Sequence, residues 1–310
     1  MLIAVMGAGS IGAYFGGKLA LAGNTVTLVA RGAHLDAIRR RGLRLLSDGQ
    51  ETLVACPAQV RATDDPKSVG PADLVLLTVK TYHNPGAVPA MRPMVGESTA
   101  VLCLQNGVDS YEAASRAFGA ARVLPGAAYV EASLPAPGVV QQTGDVVRIV
   151  FGEADNQDSA RGRKIQEVLE AAGIPAQFTT SIHRTLWTKF LFIATLVGVT
   201  CLARQSLAEL WPRPEWRQVI EGCLRELEAV GRACGVDLDA DVVAQTLAYM
   251  ESSVADLSAS MYADLLAGRP LELEALNGAA VRAGKRAGVA TPMNDVIYAM
   301  LKPYAEGVGR

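Results

Sequence analysis

The sequence is poor in residues arranged to build metal centres or disulfide frameworks. Its five cysteines lie far apart, none of them in a C-x-x-C pair, and its three histidines are scattered. Metal sites and redox pairs need closely spaced ligands, so this pattern favours buried, reduced thiols in a cytoplasmic protein. No Ser/His/Asp arrangement is visible either, which leaves no signal for a hydrolase of that kind.

The sequence also lacks a strong charge of one sign and a long hydrophobic run. A formal net charge of −2 offers no basic field for nucleic acid or an anionic membrane. The N-terminus has no positively charged region or cleavage site, so no signal peptide is predicted. The longest apolar run, residues 190–203, is too short to span a bilayer and predicts a buried helix.

The first half of the chain alternates strand-like and helix-like segments. Continuous apolar or β-branched runs occur at residues 2–6, 25–30, 74–79 and 99–104. Such runs are typical of parallel strands covered on both faces, and their alternation with helices predicts a doubly wound α/β domain. Further along, residues 139–142 and 146–151 flank Thr143-Gly144-Asp145 and predict an antiparallel hairpin.

The second half carries helical periodicity and no strand signals. Apolar spacing predicts helices over 182–203, 215–234, 240–267 and 271–287, and Thr291-Pro292 reads as the start of a final helix. A chain of 310 residues suits two domains. We therefore predict a Rossmann-type, dinucleotide-binding domain over 1–179 and an all-helical domain over 180–310.

A G-x-G-x-x-G segment follows the first predicted strand and opens a predicted helix. In that context the motif is a strong indicator of dinucleotide binding. The first glycine permits the tight turn, the second lets the backbone approach the pyrophosphate, and the third allows close packing of helix on strand. The predicted cofactor-binding residues of this segment are Gly7, Ala8, Gly9, Ser10, Ile11 and Gly12.

The residue that follows the second strand indicates which dinucleotide is bound. NAD-binding domains usually place an acidic residue there to accept hydrogen bonds from the ribose hydroxyls, but this chain has Arg31. An arginine can pair with a 2′-phosphate through two donors, whereas an acid would repel it. The sequence therefore predicts NADP(H), although Arg31 could also be a solvated loop residue.

Two polar residues end later strands of the same predicted sheet. Lys80 follows the run 74–79, and Asn106 follows the run 99–104. Ligands of open α/β sheets sit beyond the carboxyl ends of the strands, so both residues are candidates for the cofactor site. Lys80 could equally be an ordinary strand-end charge, and Asn106 a turn residue before Gly107.

The chain resembles the ketopantoate reductase (2-dehydropantoate 2-reductase) family over nearly its whole length. The resemblance rests on the glycine motif and Arg31 together with Val79-Lys80-Thr81, Gln105-Asn106-Gly107, Leu186-Trp187-Thr188-Lys189 and Glu272, in that order. It implies a Rossmann domain followed by a helical domain. It also implies NADPH-dependent reduction of 2-dehydropantoate to (R)-pantoate, on the route to pantothenate and coenzyme A.

The resemblance assigns roles to residues at matching positions. Lys189 would be the general acid, Asn106 would contact nicotinamide ribose and substrate, and Glu272 would help to anchor both ligands. Hydride addition to a 2-oxo acid builds negative charge on the carbonyl oxygen, which a lysine can stabilise and protonate. The residues alone also allow a plainer interpretation. Lys189 could be a helix-end lysine that reaches solvent, and Glu272 an acid in the first turn of a helix.

Three further residues are assigned by the resemblance alone. Ser260 would bind the substrate, Lys80 would lie along the cofactor, and Ala132 would make a backbone contact to the cofactor. The family carries asparagines four and eight residues after the catalytic lysine, where this chain has Ile193 and Val197. Apolar walls discriminate poorly in favour of a substrate hydroxyl, so these two positions bear on the choice of substrate and not on the reaction class.

Three hypotheses remain open from the sequence. The first is a reductase that makes pantoate. The second is a paralogous NADPH-dependent reductase of another, more apolar 2-oxo acid, which Ile193 and Val197 favour. The third is a non-catalytic NADP(H)-binding sensor, which Lys189 and Glu272 argue against because a sensor needs no proton donor. We expect a small 2-oxo acid as substrate and no nucleic-acid or membrane partner. The apolar faces of a helical domain are also compatible with a homodimer.

Overall fold

The structure is a computed structural model that describes residues 1–47, 49–255, 257 and 259–307. The chain divides into two compact units. The first comprises Met1–Gln105 and Ser110–Ile182, and the second comprises Asn106–Asp109 and the chain from His183 onward. We call them the Rossmann unit and the helical unit. The short segment Asn106–Asp109 belongs to the helical unit although its neighbours in sequence belong to the other.

One sheet of ten strands forms the centre of the Rossmann unit in the part of the chain that the structure describes. The strands are β1 (Leu2–Met6), β2 (Thr25–Val29), β3 (Leu43–Ser47), β4 (Gln50–Val54), β5 (Val60–Thr63), β6 (Leu74–Leu77), β7 (Ala100–Cys103), β8 (Val123–Ala136), β9 (Val139–Phe151) and β10 (Ala176–Phe178). The parallel strands β5-β2-β1-β6-β7-β8 are neighbours in that order. This is the strand order of a doubly wound dinucleotide-binding domain, which confirms the predicted fold class.

Helices cover the sheet of the Rossmann unit. They are α1 (Ser10–Leu21), α2 (Gly32–Arg41), α3 (Asn84–Ala90), α4 (Glu112–Phe118) and α5 (Ala160–Ala171). Helix α1 buries Phe15 and Leu19 completely in the core of this unit. It also approaches the sheet closely at Gly16, where an added Cβ would lie 2.6 Å from Leu28 Cδ2. The small residues of α1 therefore set how near its N-terminus comes to the strand ends.

The predicted hairpin around Thr143-Gly144-Asp145 is wrong. Strand β9 runs through these residues and pairs antiparallel with β8, and the reversal between the two strands lies before Val139, near Gly138. The register shifts between Tyr129 and Glu131 of β8, opposite the predicted turn. Gly144 adopts a positive φ of 76°, so its conformational freedom serves an irregularity within β9 instead of a chain reversal.

The helical unit is built from α6 (Ile182–Ala203), α7 (Leu207–Leu210), α8 (Pro214–Ala233), α9 (Val242–Ser252), α10 (Ser260–Leu266), α11 (Asn277–Ala287) and α12 (Pro292–Leu301). Helix α6 is long and apolar enough to cross a membrane by length and composition. Two thirds of its most apolar window (67%) is buried, and Phe190, Leu191 and Ala194 lie in the core of the unit. It has the character of a core helix.

Two predicted helices of this unit differ from the observed ones. The predicted helix over 240–267 is two helices, since α9 ends at Ser252 and α10 begins at Ser260. The predicted helix over 271–287 begins only at Asn277. Glu272 therefore precedes α11 by five residues and is buried (5% exposed), so the interpretation of Glu272 as a first-turn acid is wrong. Thr291 and Pro292 do begin α12, as predicted.

Candidate active site

The glycine segment after β1 is shaped by close approaches of its backbone. Gly7 adopts a positive φ of 106°, and a Cβ there would lie 2.5 Å from Val79 Cγ1. A Cβ at Gly12 would lie 2.2 Å from the carbonyl oxygen of Gly7. That oxygen also accepts a hydrogen bond from Thr78 Oγ1 at 2.7 Å. Both glycines are therefore required by the fold of the loop itself.

The N-terminus of α1 is suited to an anion. Gly9 is its N-cap, no side chain caps it among the described residues, and its first turn contains no acidic residue. Gly9 is exposed, and a Cβ there would meet no described atom within 4 Å. Neighbouring Ala8 is buried and its N–H donates to the carbonyl oxygen of Val29 at 2.9 Å, which fixes the loop to the end of β2. The segment, including half-buried Ser10 and Ile11, fits the pyrophosphate of a dinucleotide.

Arg31 and Lys80 follow strands that flank β1. Strand β1 pairs in parallel with β2 on one side and β6 on the other, so the carboxyl ends of the three strands are neighbours. Arg31 is exposed and is the N-cap residue of α2, a short distance beyond the end of β2. Lys80 is half-buried beyond the end of β6. Both residues therefore lie beyond the carboxyl ends of the strands, as the glycine loop after β1 does.

Gln105 holds the backbone beyond β6 and is a residue that the sequence reasoning did not assign. Its buried amide donates to the carbonyl oxygen of Val79 at 2.6 Å and to Asn84 Oδ1 at 2.7 Å. It therefore fixes the turn that presents Lys80. The available signal was a large amide directly after a fully buried strand, where a polar side chain needs partners.

His34 is a second residue without a predicted role that lies beside the glycine loop. Its Nδ1 accepts a hydrogen bond from the Gly138 N–H at 3.0 Å. Burial lowers the pKa of His34, while an interaction with the Ala8 backbone partly opposes this. The imidazole is therefore a neutral packing element between the start of α2 and the loop. Ala132, the other residue predicted at the cofactor, is half-buried in β8 and pairs with Gln142 of β9.

Lys189 is the chemically most distinctive group of the helical unit. It lies on α6, and its Nζ donates a hydrogen bond to Asn106 Oδ1 at 3.2 Å. Burial lowers the pKa of Lys189 to about 8, and the attraction of the Glu272 carboxylate opposes part of that shift. The structure thus brings together three predicted site residues, Lys189, Asn106 and Glu272. At neutral pH the lysine is an ammonium ion that can lose its proton near the working range.

Asn106 reaches Lys189 because the segment Asn106–Asp109 packs into the helical unit. Gly107 has a positive φ of 104°, and a Cβ there would lie 2.6 Å from the carbonyl oxygen of Ala275. Val108 packs against the core of the helical unit. Gly107 therefore does more than permit a turn. Because it has no side chain, its backbone can lie close to Ala275, and this helps to position the side chain of Asn106 at Lys189.

The other positions expected at the substrate differ in exposure. Ser260 is the exposed first residue of α10. Ile193, one turn after Lys189, is half-buried, whereas Val197 is fully buried in the core of the helical unit. An asparagine at position 197 would need partners for a buried amide, so packing explains Val197. Ile193 is the more accessible of the two departures from the family pattern.

The described residues contain no group of three or more His, Cys, Asp or Glu side chains that could hold a metal ion. The five cysteines are free thiols. Burial raises the pKa of Cys103, Cys201 and Cys223 to about 12, which keeps them protonated and unreactive.

The doubly wound unit with its glycine loop is that of a dinucleotide-binding protein, and comparison with known proteins identifies the class as NADP-dependent oxidoreductases. Residues 3–156 match the family model of ketopantoate reductase PanE/ApbA, and residues 181–305 match that of its C-terminal domain. The chain belongs to the ketopantoate reductase family.

Comparison with individual proteins supports the same family. The chain is 30% identical to a 2-dehydropantoate 2-reductase of Mesorhizobium japonicum, over 98% of each chain. The crystal structure of 2-dehydropantoate 2-reductase from Geobacter metallireducens superposes with a TM-score of 0.91 at 29% identity, covering 97% of this chain and 99% of that one. A ternary structure of D-mandelate dehydrogenase with NADH and anilino(oxo)acetate is also similar, with a TM-score of 0.89 at 26% identity over 98% of each chain.

Proposed function

We propose that this protein uses NADPH to reduce 2-dehydropantoate to (R)-pantoate, with Lys189 as the general acid. The observation that carries the proposal is the cluster of Lys189, Asn106 and Glu272, in which burial lowers the pKa of the half-buried lysine to about 8. A lysine in that state holds a proton at neutral pH and can release it in the transition state.

The residues of the Rossmann unit would hold the cofactor. The N-terminus of α1 would bind the pyrophosphate, and Arg31 would pair with the 2′-phosphate. Gln105 would fix the turn at Val79 and Lys80 through its hydrogen bond to Val79. When bound, the nicotinamide supplies the hydride for the reduction.

The residues of the helical unit would stabilise the negative charge that develops on the substrate and supply the proton. Reduction of the 2-oxo carbonyl leaves a developing alkoxide, and the ammonium group of Lys189 would stabilise it and then donate its proton. Asn106 would orient that ammonium group through its Oδ1 at 3.2 Å. Glu272 would favour the charged form of the lysine, since a nearby carboxylate opposes the loss of its proton.

The test is NADPH oxidation, followed by absorbance, with a panel of 2-oxo acids: 2-dehydropantoate, 2-oxoisovalerate, phenylpyruvate and benzoylformate. The proposal predicts that 2-dehydropantoate exceeds the others in kcat/KM by about a hundredfold, or roughly 2.7 kcal/mol. Turnover with none of these acids, combined with tight NADPH binding, would contradict the proposal and favour an NADP(H)-binding sensor.

A second candidate is a reductase of a more apolar 2-oxo acid. Half-buried Ile193 favours it, because an aliphatic side chain stands where the family has an asparagine. The similar D-mandelate dehydrogenase was solved with anilino(oxo)acetate, an oxo acid that carries an aromatic group. A preference for phenylpyruvate or benzoylformate in the same panel, reversed toward 2-dehydropantoate by Ile193→Asn, would establish this candidate.

A further inference from the structure

Arg282 on α11 joins two segments of the helical unit that carry residues of the lysine site. Its Nη1 donates to Glu274 Oε2 at 2.9 Å. Its Nη2 donates to the carbonyl oxygen of Glu274 at 2.8 Å and to Asp109 Oδ2 at 3.3 Å. One guanidinium therefore binds a carboxylate and a backbone carbonyl on one segment and a carboxylate on the other.

Both segments lead directly to the groups around Lys189. Asp109 lies three residues after Asn106, whose Oδ1 accepts the hydrogen bond from Lys189. Glu274 lies two residues after Glu272, whose carboxylate attracts the same lysine. Residues 106–109 and 271–276 lie outside helices and strands. Turn hydrogen bonds such as that from the Ala275 N–H to the Glu272 carbonyl oxygen hold the second segment internally. The contact of Arg282 with Asp109 and Glu274 joins it to the first segment.

The two segments already touch where Arg282 joins them. Gly107 approaches the carbonyl oxygen of Ala275 so closely that a Cβ would lie 2.6 Å from it. Glu274 is further bound by Tyr298, whose hydroxyl donates to Glu274 Oε1 at 2.8 Å, and by the ammonium of Lys302. A partly exposed ion pair contributes little by itself. A planar guanidinium bonded to three acceptors, however, fixes the direction of each one.

We propose that Arg282 is a positioning residue, which holds the Asn106 and Glu272 segments together so that the Asn106 amide oxygen and the Glu272 carboxylate remain near the ammonium of Lys189. The expected effect of Arg282 on turnover rests on the proposed function. Its expected effect on the pKa of Lys189 rests only on the geometry of the two segments. Asn106 and Glu272 both favour the charged form of Lys189, so their displacement disfavours that form.

The first experiment measures Lys189 without any substrate. The full chain is reductively methylated with ¹³C-formaldehyde and its lysine resonances are titrated by NMR, with Lys189→Arg identifying the Lys189 signal. We expect the pKa of Lys189 to fall in Arg282→Ala and to be largely restored in Arg282→Lys. Arg286→Ala, which removes an exposed arginine one turn further along α11, should leave it unchanged. An unchanged or raised pKa in Arg282→Ala overturns the proposal.

The second experiment measures coupling in turnover. Arg282→Ala, Asp109→Ala and the double variant are compared with the unaltered protein for kcat, KM, NADPH dissociation constant and melting temperature. Small displacements of catalytic groups can cost up to about a hundredfold. We expect Arg282→Ala to lower kcat at saturating NADPH by about tenfold, and the double variant to lose no more kcat than Arg282→Ala alone.

The two experiments separate the possible failures. The positioning role is overturned if the losses of kcat in the two single variants multiply in the double variant. It is also overturned if the loss of kcat only equals the loss of protein able to bind NADPH. If the unaltered protein turns over no 2-oxo acid, the proposed function fails, while the NMR titration still decides the role of Arg282.

Discussion

The Rossmann unit and the helical unit build their candidate sites in opposite ways. The cofactor segment of the Rossmann unit is mostly backbone: a helix start without a side-chain cap, and Gly7 and Gly12, where an added Cβ would lie 2.2–2.5 Å from a neighbouring atom. The site of the helical unit consists of side chains: the half-buried ammonium of Lys189, the half-buried amide of Asn106 and the buried carboxylate of Glu272. We therefore expect binding in the first unit to depend on backbone shape, and chemistry in the second to depend on burial and charge.

This difference predicts that the two functions can be damaged separately. A substitution in the glycine segment should weaken cofactor binding, while removal of the Lys189 side chain should slow the chemical step and leave the cofactor bound.

Removal of the general acid should have the largest effect. Lys189→Ala should lower kcat/KM for the 2-oxo acid by about 10²–10⁴-fold, the usual contribution of a positioned general acid. The NADPH dissociation constant, measured by fluorescence, should change by less than about twofold, because the cofactor segment lies in the other unit. Lys285→Ala, at an exposed position of α11, is the matched control. Full activity of Lys189→Ala would remove the lysine from the mechanism.

Substitutions at two glycines should distinguish effects on the stability of the Rossmann unit from effects on cofactor binding. Gly9→Ala meets no described atom within 4 Å, so its melting temperature should not change. Its added methyl group should nevertheless weaken NADPH binding on the order of a hundredfold, or about 2.7 kcal/mol. Gly12→Ala collides with the Gly7 carbonyl oxygen, so it should also destabilise the protein by about 1–3 kcal/mol.

Calorimetric melting and NADPH titration of both glycine variants provide the measurement. Unchanged NADPH affinity in Gly9→Ala would show that the dinucleotide does not approach the backbone at this point.

Loss of the arginine after β2 should have the smallest of these effects. Arg31→Ala should weaken NADPH binding by about 10–100-fold, since hydrogen bonds to charged groups contribute roughly 1.5–3 kcal/mol. NADH binding should remain nearly constant, because NADH has no 2′-phosphate. Arg41→Ala, at the exposed far end of α2, is the matched control. Equal losses for both cofactors would contradict the proposed role of Arg31.

The sequence predicted the Rossmann unit better than the helical one for a physical reason. The glycine motif encodes local backbone geometry, and the strand β1 and the helix α1 that flank it were correctly predicted. Gln105 and His34 were missed because their partners, Asn84 and Gly138, lie 21 and 104 residues away. The hairpin at Gly144 was misplaced because a positive-φ glycine serves a strand irregularity as well as a turn.

In the helical unit, periodicity revealed where apolar faces lie but not where helices stop. The pattern from 271 onward suggested a helix that included Glu272, whereas the structure buries that carboxylate in a turn before α11. Nothing in the local sequence shows that Asn106 belongs with Lys189, 83 residues further along. The family resemblance assigned both residues to one site but predicted no contact between them, because long-range side-chain contacts leave no periodic signal.

The most direct test of the central claim is the pH dependence of turnover in both directions. The pKa of Lys189 is lowered to about 8, so the ammonium predominates below that pH and the neutral amine above it. With saturating NADPH, kcat/KM for reduction should be level up to about pH 8 and then fall about tenfold per pH unit. The reverse oxidation with NADP⁺ needs the neutral amine, so its rate should rise to the same pH and then level. Reduction that stays constant through pH 9.5, more than one unit above that pKa, would contradict Lys189 as the proton donor.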